Sequence, residues 1–220
     1  MAKGIYIGNS SIARKVKGLY IGVDGVARKV KKGYIGVGGV ARQFYSSETL
    51  IPFTSNPAPI AWTPTNSYPI SIALKARGTN EYGTWTISAD SKYGTTDDYT
   101  IDKAFDGATT KYWSSDYKDA AVESYIQLDL PTGVTIKPIT VYAKYSRIAG
   151  GTIQGFNPTT NSWENLISLT KSSTAIENTD ELTTEVYYSK FRIHGYRYSS
   201  TYKQLYVYEL QIQSGTLKIE

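Results

Sequence analysis

A 14-residue repeat near the start of the chain constrains its fold more than any other feature. Three copies fall within residues 3–45, and their shared parts are Tyr6-Ile-Gly-Asn-Ser-Ser-Ile-Ala-Arg14, Tyr20-Ile-Gly-Val-Asp-Gly-Val-Ala-Arg28 and Tyr34-Ile-Gly-Val-Gly-Gly-Val-Ala-Arg42. Asp-Gly or Gly-Gly stands between two short alternating runs in the second and third copies, which is typical of two-residue hairpin turns. The repeat therefore predicts three β-hairpins in a six-stranded meander.

The alternation within a hairpin also predicts which residues share a face. In the second copy Val23 faces Val26 and Ile21 faces Arg28, all on one side of the sheet. Strands of about five residues with one apolar face bury too little surface to be stable alone. We therefore interpret residues 1–45 as an assembly segment, whose apolar face meets another sheet, a partner protein or a second copy, and residues 46–50 as a joint.

Three arginines, Arg14, Arg28 and Arg42, fall on the Ile/Val face of these hairpins. One interpretation is that each aliphatic stem covers the neighbouring isoleucine while the guanidinium reaches water. Another is that the three form a row that pairs with carboxylates of a neighbouring subunit. Residues 1–45 hold nine Lys or Arg and a single acid, which also suggests nucleic acid. We favour no nucleic-acid partner, because the basic residues lie in apolar hairpins and no nucleic-acid-binding motif is present.

The remainder of the chain also predicts β-structure. From Thr84 onward, alternating apolar and polar segments are separated by Gly, Pro, Asn and Ser, and no segment has a sustained 3.6-residue period. Twenty tyrosines against five phenylalanines suit an all-β protein with wet loops. We predict a β-sandwich over 51–214 with an insertion around 61–83, and a C-terminal tail at 215–220.

Three motifs in order give this sandwich a family resemblance. They are Tyr99-Thr-Ile-Asp-Lys-Ala-Phe-Asp-Gly-Ala-Thr-Thr-Lys-Tyr-Trp113, Tyr125-Ile-Gln-Leu-Asp-Leu130 and Leu205-Tyr-Val-Tyr-Glu-Leu-Gln-Ile212. The ordered set resembles the discoidin-like domain, also called the factor V/VIII C-type domain. That domain is an eight-stranded jelly roll, and its bacterial and viral members are mostly carbohydrate-binding modules.

The resemblance implies a structural Ca²⁺ beside the Phe-Asp-Gly turn. Its ligands would be Asp106, Thr109 or Thr110, Glu209, and backbone carbonyls near Lys103. Oxygen ligands on a Gly-bent loop suit this hard cation. The alternative is that Asp106 only caps the turn and Glu209 faces solvent.

The resemblance also places ligand binding in loops at one end of the jelly roll. Proteins hold sugars by aromatic stacking together with polar groups that reach the hydroxyls. Two loops rich in such groups supply the predicted ligand-binding residues, which are Tyr145, Arg147, His194, Tyr196, Arg197 and Tyr198. Trp113 is expected in the core instead, as the family pattern has it.

Catalysis is not expected. The chain has no cysteine and one histidine, His194, without a serine-elbow motif near it. The acid pair Asp97-Asp98 lies in a polar loop, where such pairs are usually solvated. No run of 18 apolar residues predicts a membrane helix, and no apolar leader precedes the first repeat. We therefore expect no membrane partner, no signal peptide and synthesis in a host cytoplasm.

The repeat itself resembles repeats in structural proteins of phages and prophages of Gram-positive bacteria. This implies a component of a virion or a phage-tail-like particle, oligomeric once assembled, with residues 1–45 bound to other subunits. The jelly roll would then display a binding site for a host cell-surface glycan. An alternative is a purely architectural decoration or baseplate subunit with protein contacts only. A secreted accessory of an enzyme would need an export signal and a catalytic partner.

Overall fold

The structure is a computed structural model of the 220-residue chain. It describes residues 6–9, 12–15, 19–30, 32–37, 39–46, 48–55, 70–75, 84–94, 99–117, 122–197 and 203–219. Within these ranges the secondary structure is almost entirely β, with one 3₁₀ turn at Ile101–Ala104. The chain divides into two compact units, residues 1–50 with 219–220, and residues 51–218.

Three hairpins form in the first unit. Their strands are β1 (Tyr6–Asn9), β2 (Ile12–Lys15), β3 (Tyr20–Val23), β4 (Val26–Lys29), β5 (Lys32–Val37) and β6 (Val40–Ser46). The predicted pairing of Ile21 with Arg28 is confirmed, and Arg14 and Arg42 likewise lie opposite an isoleucine. At the tip of the second hairpin, Asp24 and Gly25 have φ of 50° and 78°, the left-handed pair that a tight two-residue turn requires.

The predicted six-stranded meander is not continuous in the described residues. Each hairpin is a separate two-stranded sheet, and among the described residues no strand of one hairpin pairs with a strand of another. A four-residue strand offers only a few backbone groups at its edge, so pairing with a neighbouring hairpin adds little stability.

The second unit is a sandwich of two antiparallel sheets. Its strands are β7 (Thr49–Thr54), β8 (Ile70–Lys75), β9 (Thr84–Ala89), β10 (Trp113–Ser114), β11 (Glu123–Asp129), β12 (Val134–Ser146), β13 (Ile148–Asn157), β14 (Ser162–Leu169), β15 (Ile176–Glu181), β16 (Lys190–Arg197) and β17 (Tyr206–Ile219). One sheet has the order β14-β13-β16-β11-β9-β8. The other has the order β10-β17-β12-β15, and β7 also pairs with β17. This is the predicted all-β sandwich.

The core lies between the two sheets and follows the period-2 alternation of the strands. On β11 and β16, Ile126 and Ile193 are fully buried, while the residues on either side of them along each strand are partly exposed. Trp113 is fully buried, as predicted, and its indole Nε1 donates a hydrogen bond to the Ser91 carbonyl at 2.9 Å. Phe105, from the Phe-Asp-Gly turn, is also buried.

Several predicted boundaries differ from the structure. Residues 215–219, predicted as a tail, continue β17, because Leu217 is buried in the core and extends the alternation. Residues 49 and 50 of the predicted joint belong to β7. Of the predicted insertion around 61–83, residues 70–75 form β8 and pair with β9, whereas 61–69 and 76–83 lie outside the described residues.

No helix within the described part of the chain is long and apolar enough to cross a membrane.

Candidate functional site

One end of the sandwich gathers the loops that carry most of the predicted ligand-binding residues. We call it the loop end. Here β9 stops, β11 and β13 begin, β12 and β16 finish, and β17 starts. The loops are joined to one another by backbone hydrogen bonds, since the Tyr93 N–H donates to the Ser114 carbonyl and the Ser115 N–H donates to the Leu205 carbonyl, both at 2.9 Å. The described loops of the loop end therefore form one connected surface.

Exposed apolar side chains are concentrated at this end. In residues 51–218, five large apolar side chains are described as well exposed, and four of them lie at the loop end. These four are Tyr93, Tyr117, Val122 and Tyr196. Scattered single apolar residues are normal on a protein surface, whereas a cluster at one end of a fold is typical of a binding site.

A hydrogen-bonded group lies at the same end, on the outer face of the six-stranded sheet. Tyr196 lies opposite Glu123 across β16 and β11, and its hydroxyl donates a short hydrogen bond to Glu123 Oε1. Glu123 Oε2 lies 3.0 Å from His194 Nε2. The hydrogen bond from Tyr196, with a smaller contribution from His194, lowers the pKa of the Glu123 carboxyl. The three side chains thus form one exposed group with an ionised carboxylate.

Arg147 occupies the turn between β12 and β13 and contacts the outer face of the other sheet. Its backbone φ is 53°, in the left-handed region that few non-glycine residues adopt. Its guanidinium carbon lies 4.2 Å from the ring centre of Tyr206, and its Nη1 lies 3.5 Å from Oε1 of the buried Gln204. The predicted residues Arg147, His194 and Tyr196 therefore share the loop end but occupy two different faces of it.

Tyr145 does not join this surface. Its side chain is fully buried, and its hydroxyl accepts a hydrogen bond from the Thr170 N–H at 3.0 Å. The sequence placed Tyr145 in a loop, but β12 continues to Ser146 and the alternation turns Tyr145 inward with Val141. A buried ring cannot serve as a stacking surface for a ligand.

The two remaining predicted ligand residues are only partly described. Arg197 ends β16 and pairs with Ile148 through the backbone. Its side chain lies outside the described residues, and so does Tyr198.

In the turn predicted to hold a metal, Glu209 and Asp106 accept hydrogen bonds from two successive backbone N–H groups. The Gly107 N–H donates to Glu209 Oε2 at 3.0 Å, and the Ala108 N–H donates to Asp106 Oδ1 at 2.8 Å. Asp106 therefore caps the turn, as one interpretation held, but Glu209 is fully buried and does not face solvent. Thr109 follows in the same turn and is partly exposed.

The donor set at this turn fits a calcium ion in its chemistry, since two carboxylates and a hydroxyl are hard oxygen ligands. The described residues contain no group of three or more histidine, aspartate or glutamate side chains suited to a metal, at this turn or at any other place. Backbone carbonyls would have to complete the coordination. The binding of Ca²⁺ stays a prediction.

Sequence reasoning missed part of the loop end. Tyr93, Tyr117 and Val122 lie in loops whose convergence depends on the sheet topology, which no local pattern reveals. Glu123 was accessible to prediction, because it begins the alternating stretch Glu123-Ser-Tyr-Ile and occupies an outward position opposite Tyr196.

Comparisons with solved structures give weak overall similarities. Chitosan-binding module 1 of a chitosanase/glucanase from Paenibacillus sp. IK-5 is 21% identical, with 59% of this chain and 92% of that chain covered and a TM-score of 0.43. The family 32 carbohydrate-binding module of C. perfringens NanJ, in complex with galactose, is 14% identical, with coverages of 67% and 99% and a TM-score of 0.45.

An F5/8 type C domain from Bacteroides fragilis is 16% identical, with 60% of this chain and 90% of that chain covered and a TM-score of 0.43. No protein-family model matches the chain. A search of curated proteins found no match either.

Proposed function

We propose that this chain is a non-catalytic structural component of a phage or phage-like particle, in which the sandwich binds a glycan of the host surface through its loop end. The observation that carries the glycan-binding part is the presence of three exposed aromatic side chains at the loop end, together with the hydrogen-bonded group of Glu123, His194 and Tyr196. Tyr93, Tyr117 and Tyr196 offer ring surfaces on which sugars stack. Glu123 and His194 supply an acceptor and a second polar group for sugar hydroxyls.

The first unit is proposed to hold the chain in the particle. Tyr20, Ile21 and Val26 in one hairpin, and their equivalents Tyr34, Ile35 and Val40 in the next, are all more than half exposed. An isolated two-stranded sheet with such exposed apolar groups is at best marginally stable in water, so contacts with other subunits would stabilise it. Arg14, Arg28 and Arg42 would pair there with carboxylates of a neighbouring subunit.

The same exposed hairpins favour the alternative, in which the chain is a decoration or baseplate subunit with protein contacts only. The two functions differ in whether the loop end binds sugar. A structural Ca²⁺ at Asp106, Thr109 and Glu209 is compatible with both, because it would hold the Phe-Asp-Gly turn in place and would not contact the ligand.

Binding of the full chain to an array of bacterial surface glycans tests the first function. We expect binding that the double substitution Tyr117→Ala and Tyr196→Ala weakens at least tenfold, because two stacking surfaces are lost. The matched control is Tyr187→Ala, since Tyr187 is a partly exposed tyrosine beside the strand pairing of Tyr188 with Ile136, at the opposite end of the sandwich. Absence of binding to every glycan would favour the architectural alternative.

A further inference from the structure

The outer face of the smaller sheet carries a group of tyrosines and cations that the proposed stacking site does not use. Tyr112 stacks on Tyr206, with ring centres 4.2 Å apart and planes 20° apart, and its ring centre lies 4.9 Å from that of Tyr208. Arg147 lies over Tyr206, and Lys144 Nζ lies 5.6 Å from the ring centre of Tyr208. We call these five residues the tyrosine–cation cluster.

The guanidinium of Arg147 is positioned by contacts with Tyr206 and Gln204. Its Cζ lies 4.2 Å from the ring centre of Tyr206, and Gln204 Oε1 accepts a 3.5 Å hydrogen bond from its Nη1. Tyr206 also donates to Gln204 Oε1 at 3.3 Å, which fixes the amide. A guanidinium over an aromatic ring gains a cation–π attraction and carries N–H donors that match the geometry of a carboxylate or phosphate. Such preorganisation lowers the entropic cost of binding a ligand.

The tyrosine–cation cluster combines the positive charges of Arg147 and Lys144. Lys144 contributes a second cation, and its contact with Glu177 at 3.7 Å joins two partly exposed groups, which makes it a weak surface pair. Burial, the largest cause for each group, raises the pKa of the Tyr112 and Tyr206 hydroxyls, so both remain protonated at neutral pH. Two cations with no tyrosinate charge beside them suit an anion better than a neutral sugar.

We propose that the tyrosine–cation cluster binds the anionic group of an acidic glycan, with Arg147 as the principal contact and Lys144 as the second. This inference rests on the proposed function and gives its ligand a chemical class, a sugar polymer that carries carboxylates or phosphates. Arg147 pairs with either group through two parallel N–H donors, and the aromatic side chains of the loop end contact the adjoining sugar.

The test measures binding of the full chain to three polymers of similar length: polygalacturonate, which carries carboxylates, a glycerol-phosphate teichoic acid, which carries phosphates, and a neutral galactan. We expect one or both acidic polymers to bind at least tenfold more tightly than galactan and to lose affinity as salt rises. Comparison of polygalacturonate with the teichoic acid shows whether the cluster prefers a carboxylate or a phosphate. Equal binding of all three polymers would overturn the inference and leave glycan binding intact.

Variants locate the anion site. Arg147→Gln and Lys144→Gln are each expected to weaken binding of the acidic polymer, by about tenfold for Arg147, because a charge-assisted hydrogen bond is lost. Arg147→Lys should bind the acidic polymer more tightly than Arg147→Gln but less tightly than the unsubstituted chain, since an ammonium lacks the paired N–H donors of a guanidinium. Lys137→Gln is the matched control, because it removes the same charge from an ion pair with Glu185 at the far end of β12. An equal loss in that control would overturn the inference.

The outcomes also separate this inference from the proposed stacking site. Loss of acidic binding in Arg147→Gln but not in the Tyr117 and Tyr196 double variant would support the anion site and contradict the stacking site. Near-ultraviolet circular dichroism of each variant checks that the tyrosine packing is intact. If the Arg147 variants disturb that packing, Lys144→Gln provides the test, because Lys144 contributes less to the packing. Unchanged binding of the acidic polymer by both Lys144→Gln and Arg147→Lys, each of them folded, would overturn the inference. If the chain binds none of the three polymers, the acidic-glycan inference fails, and the glycan array alone decides the proposed function.

Discussion

Trp113 shows how a single side chain joins the loops to the core. It is fully buried, and its indole hydrogen bond to the Ser91 carbonyl ties the loop after β9 to β10. Trp113→Ala should therefore lower the free energy of unfolding by about 3–5 kcal/mol, through the cavity and the lost contacts. Urea denaturation measures this loss. Tyr196→Ala is the contrast, since an exposed ring contributes little packing, and a comparable loss in both variants would contradict the assigned burial.

Asp90, at the end of β9, is an acid whose burial opposes its ionisation. Burial raises the pKa of its carboxyl, even though the Tyr125 N–H and neighbouring serines donate hydrogen bonds to it. A raised folded-state pKa means that this carboxyl stabilises the fold at low pH, and that the contribution is lost as pH rises through the raised value. Asp90→Asn keeps an acceptor for Tyr125 and carries no charge. We expect the variant to equal or exceed the stability of the unsubstituted chain at pH 7.

The pH dependence of the melting temperature tests the sign of this effect. The advantage of Asp90→Asn over the unsubstituted chain should shrink as pH falls through the raised pKa of Asp90. An advantage that grows toward low pH would show that the carboxylate is stabilising. Asp116→Asn, at a partly exposed acid of the same end, serves as a control for the charge change.

Individual residues also explain which predicted site positions lie on the surface and which lie in the core. His194 and Tyr196 alternate with buried Ile193 and Gly195, so period 2 alone puts them on the outer face of β16. The same rule places Tyr145 inside, once β12 is known to continue to Ser146. The error was one of strand length, and strand ends depend on tertiary pairing that a local pattern does not contain.

At the scale of elements, the turn after the 3₁₀ turn Ile101–Ala104 links the two acids of the predicted metal site. Asp106 and Glu209 accept from successive N–H groups, although they are far apart in sequence. If Ca²⁺ binds there, millimolar calcium should raise the melting temperature, because a ligand that binds only the folded chain stabilises it. Differential scanning calorimetry with calcium and with a chelator measures this shift.

Asp106→Ala should abolish the calcium-dependent part of the shift, since it removes one proposed ligand. Glu185→Ala provides the matched control, because Glu185 is an exposed acid on the far side of the sandwich. Identical melting curves with calcium and with chelator would remove the metal from this turn and leave Asp106 as a cap alone.

The strand pattern was more predictable than the way the strands assemble. Each hairpin turn is encoded locally by Asp-Gly or Gly-Gly, and the pairing of Ile21 with Arg28 follows from it. The convergence of Tyr93, Tyr117 and Tyr196 depends instead on strands that are distant in sequence but paired in the sheets. Loop positions of this kind follow from topology, which alternation leaves undetermined.

At the scale of the whole molecule, the division into residues 1–50 and 51–218 predicts that folding and assembly can be separated. A variant that lacks residues 1–45 should keep the sandwich, because Trp85, Trp113 and the rest of that core lie beyond residue 50. It should no longer join the particle, because the exposed hairpin residues are gone. Circular dichroism and thermal melting measure the fold, and incorporation into particles formed in its presence measures assembly.

A second variant separates the two proposed roles of the hairpins. Arg28→Gln within the full chain removes one guanidinium from a hairpin whose residues are exposed on both faces, so it should leave the melting temperature unchanged. If the arginine row pairs with carboxylates of a neighbouring subunit, this variant should weaken incorporation, and Lys29→Gln on the opposite face should weaken it less. Equal effects of Arg28→Gln and Lys29→Gln would mean that the hairpin acts through its overall positive charge and not through a specific row of arginines. Unfolding of the shortened chain would contradict the division itself, since the hairpins would then belong to the same cooperative core.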